Sequence, residues 1–418
     1  MKIAILTIGD ELLNGDRVDT NTAVIAESLM DHSMSVREAA TIGDREEDIV
    51  AVLKRLASGH EVVIVTGGLG PTEDDRTARS AARAFERPLR LNNQALEQIR
   101  SRFRAWQREM HPRNEKQALL PGRSMVIPNA SGTAPGFHLQ SNRTDLYFLP
   151  GVPREMLDML NQYVIPSLLD RFPNPPQICQ RVMGIFGLAE PEVESRIARS
   201  GLDNAIQVAY NVDFPAVQLK LRACGERAQK LVDLAELAVR KELGEHVVGV
   251  DGETLAASTA RYLTAAGMTL ALAESCTGGL IAKLLTDQPG SSAFLERSIV
   301  SYANSAKINC LDVDPELLDH HGAVSAECAL AMAKGVFTAA RAEVGLGVTG
   351  IAGPEGGTAD KPVGTVYIAM VCTAGERVER FNFSGSRDQI RLRTAWTALD
   401  WLRRLVISRY SAEDQDHG

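Results

Sequence analysis

Residues 273–279, Ala273-Glu274-Ser275-Cys276-Thr277-Gly278-Gly279, follow an apolar stretch from Met268 to Leu272 and run into Leu280-Ile281-Ala282-Lys283-Leu284-Leu285. This order predicts a buried strand, a tight turn rich in hydroxyls and glycine, and then a helix. Such a turn gathers side-chain hydroxyls and backbone N–H groups in one small space. The first N–H groups of a helix have no partner within it, so the sequence predicts a place there for an anion or a developing oxyanion. Ser291-Ser292, Tyr302 and Lys307 follow closely. A hydroxyl, a phenol and an amine are enough for acyl transfer.

The same alternation runs through the chain. Lys2–Ile8 is apolar and β-branched, and Asp19-Thr20 is positioned to cap a helix reaching about Met30. Val36–Thr41 reads as a strand, Arg45–Leu56 as a helix and Glu61–Val65 as a buried strand; Gln94–Arg108 is helical and polar. Strands alternating with helices imply right-handed crossovers and a largely parallel sheet covered on both faces. Arg171-Phe172-Pro173-Asn174-Pro175-Pro176 is the clearest linker, because clustered prolines fit neither a helix interior nor a central strand. The expected fold class is α/β. A doubly wound domain over residues 1–170 and a second α/β domain over 252–410 are joined by a small α+β module over 177–250. The polar tail from Ser411 is expected to be unstructured.

With 418 residues the chain exceeds one ordinary domain, and its 44% hydrophobic and 23% charged content is that of a globular protein. No apolar run is long enough to span a bilayer, which argues against a membrane partner. A net charge of −8 argues against general attraction to nucleic acid. The six cysteines, at 179, 224, 276, 310, 328 and 372, form no C-x-x-C pair, so neither a zinc site nor a disulfide framework is expected. A reduced, cytoplasmic setting is the simplest reading.

Two segments carry candidate chemistry. In the first, Val63-Ile64-Val65 leads to Thr66-Gly67-Gly68-Leu69-Gly70-Pro71-Thr72-Glu73-Asp74-Asp75 at the carboxyl end of a strand. Gly67, Gly68 and Gly70 let the backbone approach a phosphate, and Glu73, Asp74 and Asp75 supply oxygen ligands for a hard divalent cation. The alternative is a surface turn whose acids favour the following helix start. Arg113–Gln117, including Asn114 and Lys116, offers amides and cations, while the loops at 129–136 and 149–153 are candidate cleft walls. In the second segment, Ser292 lies in a turn able to expose its hydroxyl, and a desolvated Lys307 can accept a serine proton. Tyr302 can relay or donate a proton. Cys276 is a rival nucleophile or a core residue. Thr349 and Gly350, in another strand-to-loop element, offer a hydroxyl and backbone N–H groups, and Arg387 opens the last helix as a possible phosphate partner.

The motifs TIGDELLNG (7–15), TGGLGPTEDDRT (66–77), RNEKQALLPG (113–122), NASGTAPGF (129–137) and LPGVPREM (149–156) resemble the N-terminal domain of CinA proteins, with its molybdopterin-binding-like fold. AESCTGG (273–279), GSS (290–292), SYANSAK (301–307) and GVTGIAGP (347–354) resemble the CinA C-terminal domain, the nicotinamide mononucleotide deamidase PncC. The middle module stands where the family carries a KH-like domain.

The resemblance implies a C-terminal deamidase that needs no cofactor. Ser292 would be the nucleophile, Tyr302 and Lys307 would move protons, and Ser275, Thr277, Gly278, Thr349, Gly350 and Arg387 (or Arg391) would hold the substrate. It also implies an N-terminal ADP-ribose pyrophosphatase dependent on a divalent metal cation at Asp74, Asp75 and Glu73, with Gly67, Gly68, Gly70, Asn114 and Lys116 on the substrate, and a homodimer. The rival readings are a molybdopterin-handling protein and a competence or DNA-damage adaptor without hydrolase activity. The middle module shows no Gly-x-x-Gly loop between basic residues and reads as a spacer or dimerisation module.

Overall fold

The computed structural model describes residues 1–416, with side chains described through residue 409. The chain folds as two compact units. One holds Met1–Ile178 with Cys224–Glu226, and the other holds the remainder from Cys179.

The first unit is built on a six-stranded sheet. Its strands are β1 (Ile3–Ile8), β2 (Val36–Ile42), β3 (Val62–Thr66), β6 (Met125–Ile127), β7 (Gly136–Ser141) and β8 (Thr144–Leu149), in the order β2-β1-β3-β8-β7-β6. Two short strands, β4 (Leu89–Leu91) and β5 (Leu119–Pro121), pair separately. β1, β2, β3 and β8 are parallel, whereas β7 pairs antiparallel with β8 and β6 antiparallel with β7.

Alternation along the strands feeds two cores. Ala4, Leu6, Val63, Val65 and Phe148 pack with Ile49, Leu53 and Ile99 on one face. Ile3, Ile5, Val62, Ile64 and Leu149 pack with Ile25, Leu29 and Met156 on the other. The helix Thr20–Asp31 begins where expected, with the Asp19 carboxylate accepting the Thr22 N–H at 3.0 Å.

The second unit combines the middle module and the C-terminal domain. The module's sheet has the order β10-β11-β9-β12, from β9 (Ile178–Ile185), β10 (Gln207–Asp213), β11 (Ala216–Cys224) and β12 (Val247–Val250). It does not stand apart as a spacer. Val248 belongs to the C-terminal core, Phe186 packs at 5.4 Å on Trp396, and the Arg403 guanidinium reaches both Asp400 and the Glu245 carbonyl. Arg403 and Asp400 are both buried.

The C-terminal sheet has the order β14-β13-β15-β16-β17, from β13 (Leu270–Glu274), β14 (Leu295–Val300), β15 (Val344–Gly350), β16 (Thr365–Cys372) and β17 (Gly375–Asn382). The first three strands are parallel and the last two form an antiparallel edge. Gly347 of β15 has a packing reason: a Cβ there would lie 2.4 Å from the Ala329 carbonyl of the helix Ala326–Ala340. The last helix runs from Arg387 to Asp416, beyond the boundary expected near residue 410. The expected unstructured tail therefore does not begin at Ser411; Asp416 still belongs to that helix, and its final residues, 417 and 418, lie outside the described residues.

Among the described residues, no helix is long and apolar enough to cross a membrane. All six cysteines are free thiols.

Candidate active site

The carboxyl ends of the parallel strands β14, β13 and β15 lie side by side, the usual location of a site in such a sheet. Ser275 directly follows β13, and its N–H donates to Val348 O of β15 at 3.0 Å. Ser301 follows β14 and donates its N–H to Glu274 O at 2.8 Å. The helix Asn304–Leu311 then carries Lys307 inward, leaving it 1% exposed.

Lys307 Nζ lies 2.8 Å from Ser301 O, 3.1 Å from Tyr302 O and 3.2 Å from Ser275 Oγ. Among the described residues no carboxylate pairs with it. Burial pushes the amine below the usual lysine value, opposed by the neighbouring Cys328 and Cys276 thiols. As an ammonium, Lys307 can donate one N–H to each of these three oxygens; once deprotonated it has two N–H bonds for the carbonyls and a lone pair available to the Ser275 hydroxyl.

The hydroxyl in direct contact with Lys307 is that of Ser275, whereas the expected partner was Ser292. Ser292 lies in the short turn Ser291–Ala293, is exposed, and has no hydrogen-bond partner among the described residues. Cys276 is a core residue, with its thiol pushed up to about 12 by burial.

The helix start also differs from expectation. The Glu274 carboxylate, fully buried, accepts the N–H groups of Gly279 (3.0 Å), Ile281 (3.2 Å) and Ala282 (2.9 Å). The chain supplies its own anion there, so an external oxyanion has no place at those donors. The signal was an acidic residue ending the apolar run Leu270–Ala273.

The remaining predicted residues surround this turn. Gly278 and Gly279 both have positive φ, +60° and +89°, which lets the chain turn from β13 into the helix Leu280–Thr286. The Thr277 carbonyl accepts from Arg391 Nε at 3.2 Å and Nη2 at 2.7 Å, while the buried Thr277 hydroxyl has no partner. Thr349 donates to Ala323 O at 2.7 Å and is buried. Gly350 ends β15, where a Cβ would crowd Val366 and the Thr365 carbonyl. Arg387 donates to Gly353 O at 2.6 Å and to the Tyr302 hydroxyl at 3.0 Å. Sequence reasoning missed Ser301, whose carbonyl orients the amine; nothing in its sequence context distinguishes it.

A second candidate site occupies the first unit. A cavity of about 560 Å³ is lined by Gly67, Gly68 and Gly70, by Asp74 and Asp75, and by Thr133, Gly151 and Glu155. The loops at 129–136 and 149–153 thus reach the same cavity as the glycine loop. Gly67 and Gly68, both with positive φ, crowd the chain itself: added Cβ atoms would lie 2.1 Å from Ile8 O and 2.2 Å from the Thr77 hydroxyl. Asn129 organises one wall, holding Ala134 O and the Glu155 carboxylate at 2.9 and 2.7 Å.

Asp44 enters this cavity unannounced by the sequence. Burial and the neighbouring Asp10, Glu11 and Asp74 push its carboxyl up, against a hydrogen bond from the Asp10 N–H that lowers it. Asp74 is held below the usual carboxylate value, chiefly by a hydrogen bond from Thr72.

Of the acids read from the sequence as metal ligands, Asp74 and Asp75 line this cavity and Glu73 lines an adjacent pocket. Among the described residues no three His, Cys, Asp or Glu side chains gather to hold a metal ion. Asp75 accepts the Thr72 N–H at 2.8 Å and the Thr72 hydroxyl. Lys116 lines the same pocket as Glu73 and donates to the Thr72 carbonyl. Asn114 turns its amide onto its own segment, at His111 O.

Residues 252–406 match the family described as CinA C-terminal domain, and residues 4–170 match the probable molybdopterin binding domain. A CinA-like protein of Syntrophotalea carbinolica is 53% identical over 410 residues, covering 98% of this chain and 100% of that protein. A protein of Shewanella oneidensis named nicotinamide-nucleotide amidohydrolase PncC is 38% identical over 409 residues, covering 98% of this chain and 96% of its own. A solved competence/damage inducible protein of Agrobacterium tumefaciens is 44% identical, covers 37% of this chain and 94% of its own, and aligns with a TM-score of 0.36.

Proposed function

Because the chain belongs to the CinA family, we propose that its C-terminal domain hydrolyses the carboxamide of nicotinamide mononucleotide to nicotinate mononucleotide and ammonia. The observation that carries this reading is the buried amine of Lys307 facing the Ser275 hydroxyl with its other hydrogens bound by two carbonyls. The name borne by the Shewanella oneidensis relative supports the choice of substrate.

In this reading Lys307 takes the Ser275 proton as Oγ attacks the carboxamide carbon. The tetrahedral intermediate collapses with cleavage of the C–N bond, and the departing nitrogen takes a proton from Tyr302. The Lys307 ammonium refills the phenolate through solvent. Water then attacks the acyl ester, Lys307 accepts its proton, and Ser275 leaves with that proton. Amide and water become carboxylic acid and ammonia, with the protein restored. Ser292 is no longer the proposed nucleophile; its exposed turn borders the strand that delivers Ser301.

For the N-terminal domain we propose hydrolysis of ADP-ribose at the cavity of the glycine loop, whose size suits a nucleotide. The metal implied by the family resemblance finds no three-carboxylate set, so no step is assigned to it. Assay of the purified chain with each nucleotide, with and without a divalent metal, tests both activities. Absence of ammonia release from nicotinamide mononucleotide under all conditions would overturn the first proposal. Absence of AMP release from ADP-ribose would overturn the second.

A further inference from the structure

We infer that Arg387 acts on Tyr302 rather than on the substrate's phosphate: it holds the phenol so that its proton is free for the departing nitrogen. This rests on the deamidase reading above. Arg387 Nη1 donates to Gly353 O at 2.6 Å and Nη2 to the Tyr302 hydroxyl at 3.0 Å. One edge of the guanidinium is therefore fixed between the loop after β15 and the phenol. A guanidinium has donors and no acceptor. The Tyr302 oxygen must be the acceptor, which leaves its own O–H to donate elsewhere.

The same tyrosine accepts Lys307 Nζ with its backbone carbonyl at 3.1 Å. Main chain and side chain thus link the amine that receives the serine proton to the phenol that supplies the leaving group. Tyr302 is 62% exposed. With so little packing around the ring, the bond from Arg387 is its principal restraint. Arg387 is on this account a positioning residue, and Tyr302 the group that meets the reacting nitrogen.

The two roles differ in kinetics. A residue holding phosphate contributes binding and is seen in KM. A residue orienting the acid is seen in kcat and has no effect once the acid is gone. The experiment measures kcat and KM for nicotinamide mononucleotide in the wild type, Arg387→Met, Arg387→Lys, Tyr302→Phe and Arg387→Met/Tyr302→Phe. Melting temperatures confirm that each is folded.

General acid catalysis contributes roughly 10²–10⁴-fold, and loosening the acid is expected to forfeit about 10-fold of it. Arg387→Met should lower kcat by about 10-fold with KM little changed. Arg387→Lys keeps the charge but cannot bridge both oxygens, so it should lose kcat as well and keep KM. In the Tyr302→Phe background, Arg387→Met should add no further loss. A rise in KM at constant kcat in Arg387→Met, rescued by Arg387→Lys, would overturn the inference. So would an undiminished kcat loss in the double variant. Wild-type protein inactive on this nucleotide would instead overturn the deamidase reading itself.

Discussion

Lys307 Nζ stands 3.2 Å from Ser275 Oγ, and the carbonyls of Ser301 and Tyr302 hold its remaining hydrogens. In the proposed mechanism the nucleophile follows β13, the carbonyls that orient the base follow β14, and the helix Asn304–Leu311 carries the base itself. Ser275→Ala should therefore lower kcat/KM by on the order of 10³-fold or more, as removal of a nucleophile does. Ser292→Ala and Cys276→Ala should keep most of the activity. Steady-state ammonia release checks all three; a silent Ser275→Ala would remove Ser275 from the mechanism.

The lysine sets the pH dependence. Burial holds its folded-state value below 10.5, and the neutral form is the base. kcat/KM should rise with pH through that lowered value and then level off. Lys307→Arg should be inactive at every pH, because a guanidinium stays protonated. The same shift bears on stability. Between the lowered value and 10.5 the unfolded chain holds a proton that the folded chain has lost, so rising pH favours the fold in that window. The melting temperature of the wild type should gain on that of Lys307→Met as pH rises; a constant difference would contradict a buried neutral amine.

Glu274 is a structural anion. Its carboxylate accepts three N–H groups and is fully buried. Glu274→Ala leaves those donors orphaned and should destabilise the protein by on the order of 3 kcal/mol, from about 1–3 for each unsatisfied buried group after relaxation. Glu274→Gln retains one acceptor oxygen and should fall between. Urea unfolding followed by circular dichroism reads both; equal stability in all three proteins would deny Glu274 this role.

Arg403, paired with Asp400 on the same last helix, ties that helix to the middle module through the Glu245 carbonyl. Both side chains are buried. Removing one partner of a buried pair costs roughly 3–5 kcal/mol. Asp400 keeps its pair with Arg404 at 2.7 Å, so Arg403→Ala should cost less than that, on the order of 1–3 kcal/mol for the orphaned Glu245 carbonyl. Unchanged denaturant midpoints would show that the pair contributes nothing beyond the surrounding packing.

Much of this fold was legible because strand alternation and helix caps are local. The run Ile3–Ile8 divides its side chains between two cores, and Asp19 caps its helix as its identity suggests. The antiparallel additions were harder. β7 and β6 border the parallel strands, yet nothing in Gly136–Ser141 states the direction of pairing. The glycines at 67 and 68 announced a close approach, but what approaches is Ile8 O and the Thr77 hydroxyl.

The site was legible in its residue types and not in its pairing. Ser275, Ser292 and Cys276 all sit in turns near Lys307 in sequence. Which one meets the amine depends on the parallel register of β13 with β14 and β15, a long-range property. The acids of the glycine loop were legible as residue types, but the engagement of both Asp74 and Asp75 by Thr72 was not.

Of all measurements, trapping the acyl-enzyme tests the central claim most directly. Protein mixed with nicotinamide mononucleotide, quenched in acid within a single turnover and mapped by mass spectrometry, should carry the nucleotide acyl group, less ammonia, on the peptide containing Ser275. An adduct on Ser292 or Cys276 would contradict the account.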